Sequence, residues 1–291
     1  MQDLSVASGI KQVHSGEKVT PVKISCQEAI LPGQTFAEKL ANAERYGFDA
    51  IEVQGRWLED PAERAERRRI LQDSPVRVSS ICGGVPAHLI DIDPAQRRTT
   101  VESLHRYFSY AAELGAVGVI NVPVFAHDNH MPDLQPYLSR WNLCLELTVA
   151  MLQSVAADAE AQGVLYLLEP LNRYEANFLN RLDQATTILG RVEHQRGVGI
   201  LADFFHMHIE ETNIATAIAA AGSQVAHVHL ADNTRKEPGS GQTDFVPGFA
   251  ALRRSGFSGY MALECGLSGK AETVLPESVR YLHDCIARAG E

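Results

Sequence analysis

No two cysteines in this chain are spaced as CxxC, no long basic run occurs, and no apolar run approaches the length of a membrane span. Each absence excludes something. The five cysteines (Cys26, Cys82, Cys144, Cys265, Cys285) are odd in number and scattered, which argues against a disulfide framework or a thiolate zinc site. Reduced thiols in a cytoplasmic setting are the expectation. Lys and Arg number 26 against 36 Asp and Glu, for a formal charge of −10. Nucleic acid binding needs cations to neutralise phosphates, so no nucleic-acid partner is expected. Arg64, Arg67, Arg68 and Arg69 are interleaved with Glu63 and Glu66, which reads as a solvated helix face. The first twenty residues lack the apolar core of a signal peptide, and neither a membrane partner nor a leader is expected. Residues 1–21 read as a loosely held N-terminal extension, and residues 22–291 as a single domain. A dinucleotide-binding fold would need a Gly-rich turn after an early strand; the first turn here reads QEAILPG.

What is present is alternation. Short runs rich in Val, Ile and Leu occur at 22–27, 49–54, 76–82, 117–123, 164–169, 198–204, 225–230 and 259–264. Each is bounded by turn formers, as strands are. Between them lie stretches of helical period at 35–47, 96–115, 138–163, 184–195, 213–222, 246–256 and 276–289. Strict alternation implies parallel strands covered by helices. Eight units in this length predict a closed (β/α)8 TIM barrel in one domain, an α/β fold.

The polar residues inside these apolar strands carry the chemistry. Glu169 ends VLYLLE, Asp203 follows VGILA, and Glu264 ends YMALE. All three fall at strand C-termini, the active-site face of such barrels. A carboxylate among leucines is costly to desolvate without a compensating cation or donors. One such residue is explained equally well by a buried ion pair; three on nearby strands, with a histidine between the last two, are not. That histidine is His229 in AHVHLAD. With period two, His227 shares its face one layer deeper, while Val228 and Leu230 face the other way. Three carboxylates and one imidazole predict a site for one divalent ion, Mn²⁺ foremost, with Co²⁺ or Mg²⁺ as alternatives.

Glu175 and Arg173 follow Glu169, His206 follows Asp203, and Arg235 with a PGSG turn follows His229. Together they read as a rim for a polyhydroxylated ligand.

The segments LLEPLNRYE, DFFHMHIEE, HVHLADNTRKEPGSG and ALEC resemble the D-tagatose 3-epimerase, or ketose 3-epimerase, family of the xylose isomerase-like superfamily. The resemblance spans residues 164–266 and implies that Glu169, Asp203, His229 and Glu264 hold the metal. It also implies that Glu169 and Glu264 act as acid and base on opposite faces of a sugar, and that Glu175, His206 and Arg235 contact the substrate near its carbonyl. The loops after strands three and four, GGVPAHLIDID and VFAHDNHMPDLQPY, depart from that family. They leave the far end of the substrate undefined; His88, His127, His130 and Trp57 are candidates to line it, though each reads first as an exposed loop residue. The expectation is a metal-dependent sugar isomerase or epimerase with a small sugar substrate, compatible with a homo-oligomer. The alternatives are a lyase or dehydratase acting on an oxidised sugar or glycoside, a metal-dependent endonuclease, and a non-catalytic sugar-binding protein.

Overall fold

Eight parallel strands pair in sequence order around a closed barrel, and the last closes on the first. The structure, a computed structural model, describes residues 22–86, 88–125 and 131–291. The expected N-terminal extension, His127 and His130 lie outside the described residues. The strands are β1 (Lys23–Gln27), β2 (Ala50–Gln54), β3 (Arg77–Cys82), β4 (Gly118–Asn121), β5 (Leu165–Leu168), β6 (Val198–Asp203), β7 (Val225–Leu230) and β8 (Tyr260–Leu263). Each lies within a run read from the sequence. The helices among the described residues are α1 (Phe36–Tyr46), α2 (Pro61–Gln72), α3 (Pro94–Leu114), α4 (Arg140–Gln162), α5 (Leu182–Leu189), α6 (Phe204–Glu210), α7 (Ile214–Ala221), α8 (Val246–Arg254) and α9 (Ala271–Arg288). Among the described residues, none is long and apolar enough to cross a membrane.

Local chemistry sets the helix ends. Thr35 and Glu38 form a reciprocal capping box at the start of α1, and Gly47 ends it with φ of 89°, a left-handed conformation that costs glycine nothing. Asp93 caps α3 ahead of Pro94 at its first position, where a missing N–H is harmless. The last helix begins at Ala271 and accommodates Pro276 within it, so it starts earlier than the sequence suggested.

The strands face two different environments. Val228, Leu230 and their equivalents on other strands pack outward against the helices in one large apolar core. Inside the barrel, the β4–β6 side carries a small apolar cluster of Ile120, Leu167 and Leu201. The opposite side is polar: Ser25, Glu52, Ser80, His227 and His229 are all buried.

One expectation needs correction. Arg68 and Arg69 are exposed on α2, but Arg67 is 3% exposed. Its guanidinium donates to both oxygens of buried Glu28 at 2.8 and 3.0 Å and to Glu63 at 2.8 Å, and it lies over the Phe36 ring. The face is therefore only partly solvated, because folding brings a carboxylate from 39 residues away beneath it.

Candidate functional site

Glu169, Asp203, His229 and Glu264 converge at the C-terminal mouth of the barrel, each offering one donor atom, all within 4.8 Å of one another. His229 Nδ1 lies 3.7 Å from Glu169 Oε1, 3.9 Å from Asp203 Oδ2 and 3.3 Å from Glu264 Oε2. The strands explain the convergence, since Asp203 and His229 are register partners on β6 and β7, while Glu169 and Glu264 directly follow β5 and β8. Asp203 divides its carboxylate between two tasks. Oδ1 caps α6, accepting from the backbone N–H groups of Phe205 and His206 at 2.6 and 3.3 Å, and Oδ2 faces the centre.

Two buried polar atoms here, Glu169 Oε1 and His229 Nδ1, have no hydrogen-bond partner. Leaving such atoms unpaired is costly, and both belong to the predicted ligand set. Burial, with the neighbouring Glu264 charge, pushes Asp203 up to about 7, and burial raises Glu169 as well. Burial also opposes the charge on Glu264, yet His229 outweighs it and holds that carboxyl down at about 2. Two carboxyls are thus pushed upward around one imidazolium, whose own pKa, against burial, the carboxylates of Glu52 and Glu264 raise. A divalent cation there would replace the Nδ1 proton and stabilise all three carboxylates. Three carboxylate oxygens and one imidazole are donors that suit Mn²⁺, Co²⁺ or Mg²⁺. The residues fit such an ion.

Beneath these groups lies a second set, of which the sequence reading had placed only His227. Glu52, fully buried on β2, accepts from His227 Nε2 at 3.0 Å, His229 Nε2 at 3.1 Å and Ser80 Oγ at 2.5 Å. Burial pushes its carboxyl up, but the two histidines outweigh that and hold it well below the ordinary range. Gln27 Nε2 donates to Glu52 Oε1 at 3.0 Å and to Glu264 Oε1 at 2.8 Å. The signal was present: Glu52 is an acid within the apolar strand AIEVQ, at mid-strand rather than at the end. His227 sits deeper than His229 on the same face, as the period of two required.

The rim residues Glu175, His206 and Arg235 are also brought together. Arg235, with φ of 56°, pairs with Glu175, lies over the Phe205 ring and reaches 3.7 Å from Glu264. Asn172, another residue missed from sequence, joins them by donating from Nδ2 to Glu175 at 2.9 Å and to His206 Nδ1 at 2.7 Å. The backbone N–H of Asn172 also donates to His206 Nδ1. Because Nδ1 accepts both bonds from Asn172, the ring proton is on Nε2, 3.8 Å from Glu169 and 3.6 Å from Asp203, and burial lowers the pKa of the ring. Arg173 is not in this group; it pairs with Glu210 on the surface.

A cleft of ≈ 520 Å³ opens from Glu169 towards the loops after β3 and β4, lined by Val85, Pro86, His88, Asp91, Ile120 and Asn121 among others. His88 thus lies at the site's far end. Trp57 is 44% exposed and lines a different depression with Gln34 and Arg67.

The profile of the xylose isomerase-like TIM barrel family matches residues 40–285. A 3-dehydro-D-guloside 4-epimerase from Escherichia coli (strain K12) is 32% identical over 249 residues, covering 84% of this chain and 92% of that protein. A ketose 3-epimerase from Arthrobacter globiformis is 29% identical, covering 90% and 88% respectively. The crystal structure of apo 3-keto-D-glucoside 4-epimerase from E. coli superposes with a TM-score of 0.80 at 28% identity, covering 91% of this chain and all of that one, 100%.

Proposed function

This chain belongs to the xylose isomerase-like TIM barrel family as a sugar epimerase or isomerase, and from that premise we propose a divalent-metal-dependent epimerase that inverts the carbon beside a sugar ketone, with Glu169 and Glu264 exchanging the protons. The observation that carries this reading is the convergence of the two glutamates, from β5 and β8, on one buried centre with Glu169 Oε1 unpaired. A cation held by Glu169, Asp203, His229 and Glu264 would supply positive charge to the carbonyl oxygen and acidify the neighbouring C–H.

The chain's own residues do the rest. One glutamate removes the proton from one face of the carbon, leaving an enediolate, and the other returns a proton from the opposite face. His206 presents its Nε2–H towards the same centre, held by Asn172, and donates to a sugar oxygen. Arg235 sets a fixed positive charge over the mouth, where Glu175 and Phe205 restrain it. Such preplaced donors stabilise charge as it develops on oxygen.

For the substrate, the cleft after β3 and β4 favours a keto sugar carrying a substituent, a 3-keto-glycoside, over a free ketose. Clefts of about 300–1,000 Å³ enclose ligands larger than a single small sugar, and this one begins at Glu169 and leads away from the ligand cluster. The first relative named above acts on a dehydro-guloside. The test is a screen of free ketoses and 3-keto-glycosides with Mn²⁺ in D₂O, followed by NMR. Solvent deuterium on the inverted carbon is expected. Release of the aglycone would assign a lyase instead, and turnover without deuterium would exclude proton exchange with solvent.

A further inference from the structure

The carboxylate of Glu52 can only accept hydrogen bonds when ionised, and four side chains donate to it. Ser80 Oγ, His227 Nε2 and His229 Nε2 meet Oε2 at 2.5, 3.0 and 3.1 Å, while Gln27 Nε2 meets Oε1 at 3.0 Å. His229 must therefore carry its proton on Nε2. Its Nδ1 is the ring atom turned to Glu169, Asp203 and Glu264, and it has no hydrogen-bond partner there. The amide of Gln27 has two hydrogens; the second goes to Glu264 Oε1 at 2.8 Å. That bond occupies one oxygen of Glu264 and leaves Oε2 as the atom 3.3 Å from His229 Nδ1.

We propose that Glu52 is a positioning residue for the cation site, setting the tautomer of His229 directly and the orientation of Glu264 through Gln27. The inference rests on the reading of Glu169, Asp203, His229 and Glu264 as metal ligands. Two of these four ligands then depend on one buried carboxylate that touches neither cation nor substrate. A carboxylate behind a metal-binding imidazole fixes the ring and raises its basicity, and losing such a partner typically weakens metal affinity about 10–100-fold. Ser80 and His227 hold Glu52 in turn, which explains why a charge at 0% exposure is tolerated in the barrel interior.

The experiment measures Mn²⁺ binding to metal-free wild type and to Glu52→Gln by calorimetry, and the visible absorption of the Co²⁺-loaded proteins. Glu52→Gln keeps the side chain's shape but loses its charge and half its acceptors. The expected result is a Kd raised about 10–100-fold with a shifted Co²⁺ spectrum, in protein whose circular dichroism matches wild type. A folded variant with wild-type Kd and spectrum would overturn the proposal. If Glu52→Gln does not fold, Gln27→Leu, at a half-buried position, carries the test. It should weaken Mn²⁺ binding less than tenfold yet still shift the Co²⁺ spectrum, because Glu264 is released, and an unshifted spectrum would overturn the linkage. Wild type that takes up no Mn²⁺ defeats the metal reading itself, a failure distinct from that of Glu52.

Discussion

Arg235 pairs with Glu175 across the barrel mouth, tying the loop after β7 to the loop after β5. The same guanidinium stacks on Phe205 and stands 3.7 Å from Glu264, so its position is set before any ligand arrives. Prior placement of this kind reduces the ordering cost of binding.

Replacing Arg235 with Ala should therefore act on the substrate more than on the metal. A charge-assisted hydrogen bond contributes about 1.5–3 kcal/mol, which corresponds to a KM raised about 10- to 100-fold. Steady-state kinetics beside metal analysis would check this. Unchanged KM and kcat would make Arg235 a surface ion pair and no more.

Removing the metal should abolish activity, and Mn²⁺ or Co²⁺ should restore it. A cation that binds only the folded state also stabilises it, by about 2.7 kcal/mol at a hundredfold excess over Kd. The melting temperature should rise by several degrees on adding Mn²⁺ to chelated protein. A thermal scan indifferent to Mn²⁺, or activity that survives chelation, would speak against the site.

Metal affinity should depend on pH, with a sign fixed by Asp203. Burial first, and then Glu264, push its carboxyl up to about 7 in the cation-free chain, whereas metal binding needs it ionised. A raised carboxyl pKa keeps the proton bound below pH 7, so affinity should fall as pH drops from 8 to 6. The same shift leaves metal-free protein less stable above pH 7 than a normal carboxyl would, because ionisation is then opposed by the fold. Calorimetry in two buffers of different ionisation enthalpy should show protons released on binding at pH 6 and fewer at pH 8. Equal Kd at both values would contradict the assignment.

Glu169→Gln and Glu264→Gln should each lower kcat by about 10²–10⁴-fold, the usual contribution of one acid–base group. Metal occupancy must be measured alongside, since both side chains are also ligands in this reading. Full turnover in both metal-loaded variants would exclude the two-carboxylate mechanism.

Behind the end of β1, Arg67→Ala should cost about 3–5 kcal/mol of stability, because it leaves Glu28 buried with only weaker partners. These are Lys39 Nζ, at 3.6 Å, and the backbone N–H of Gln54, at 3.3 Å. Denaturant unfolding would measure the loss; the Mn²⁺ affinity of folded protein should not change. A loss below 1 kcal/mol would mean that Lys39 compensates.

The alternation of β-branched runs and helical periods was enough to determine an eight-unit barrel and the strand ends at which Glu169, Asp203 and Glu264 lie. The physical reason is local: period and turn chemistry act over a few residues, and an acid at the end of an apolar strand signals a desolvation cost that something must offset. Glu52 carried the same signal in AIEVQ, yet nothing near it in the chain indicates what it meets. Gln27 reaches Glu264 across 237 residues only because β8 closes on β1, and Glu52 reaches His229 across 177. Arg67 looked solvated until Glu28 came beneath it, and nothing marked Asn172 until α6 brought His206 to its side chain. Which nitrogen of His229 faces the centre, and which oxygen of Glu264, is decided by barrel closure. Hydrogen-bond direction depends on partners in space, and those partners come from strands at opposite ends of the chain.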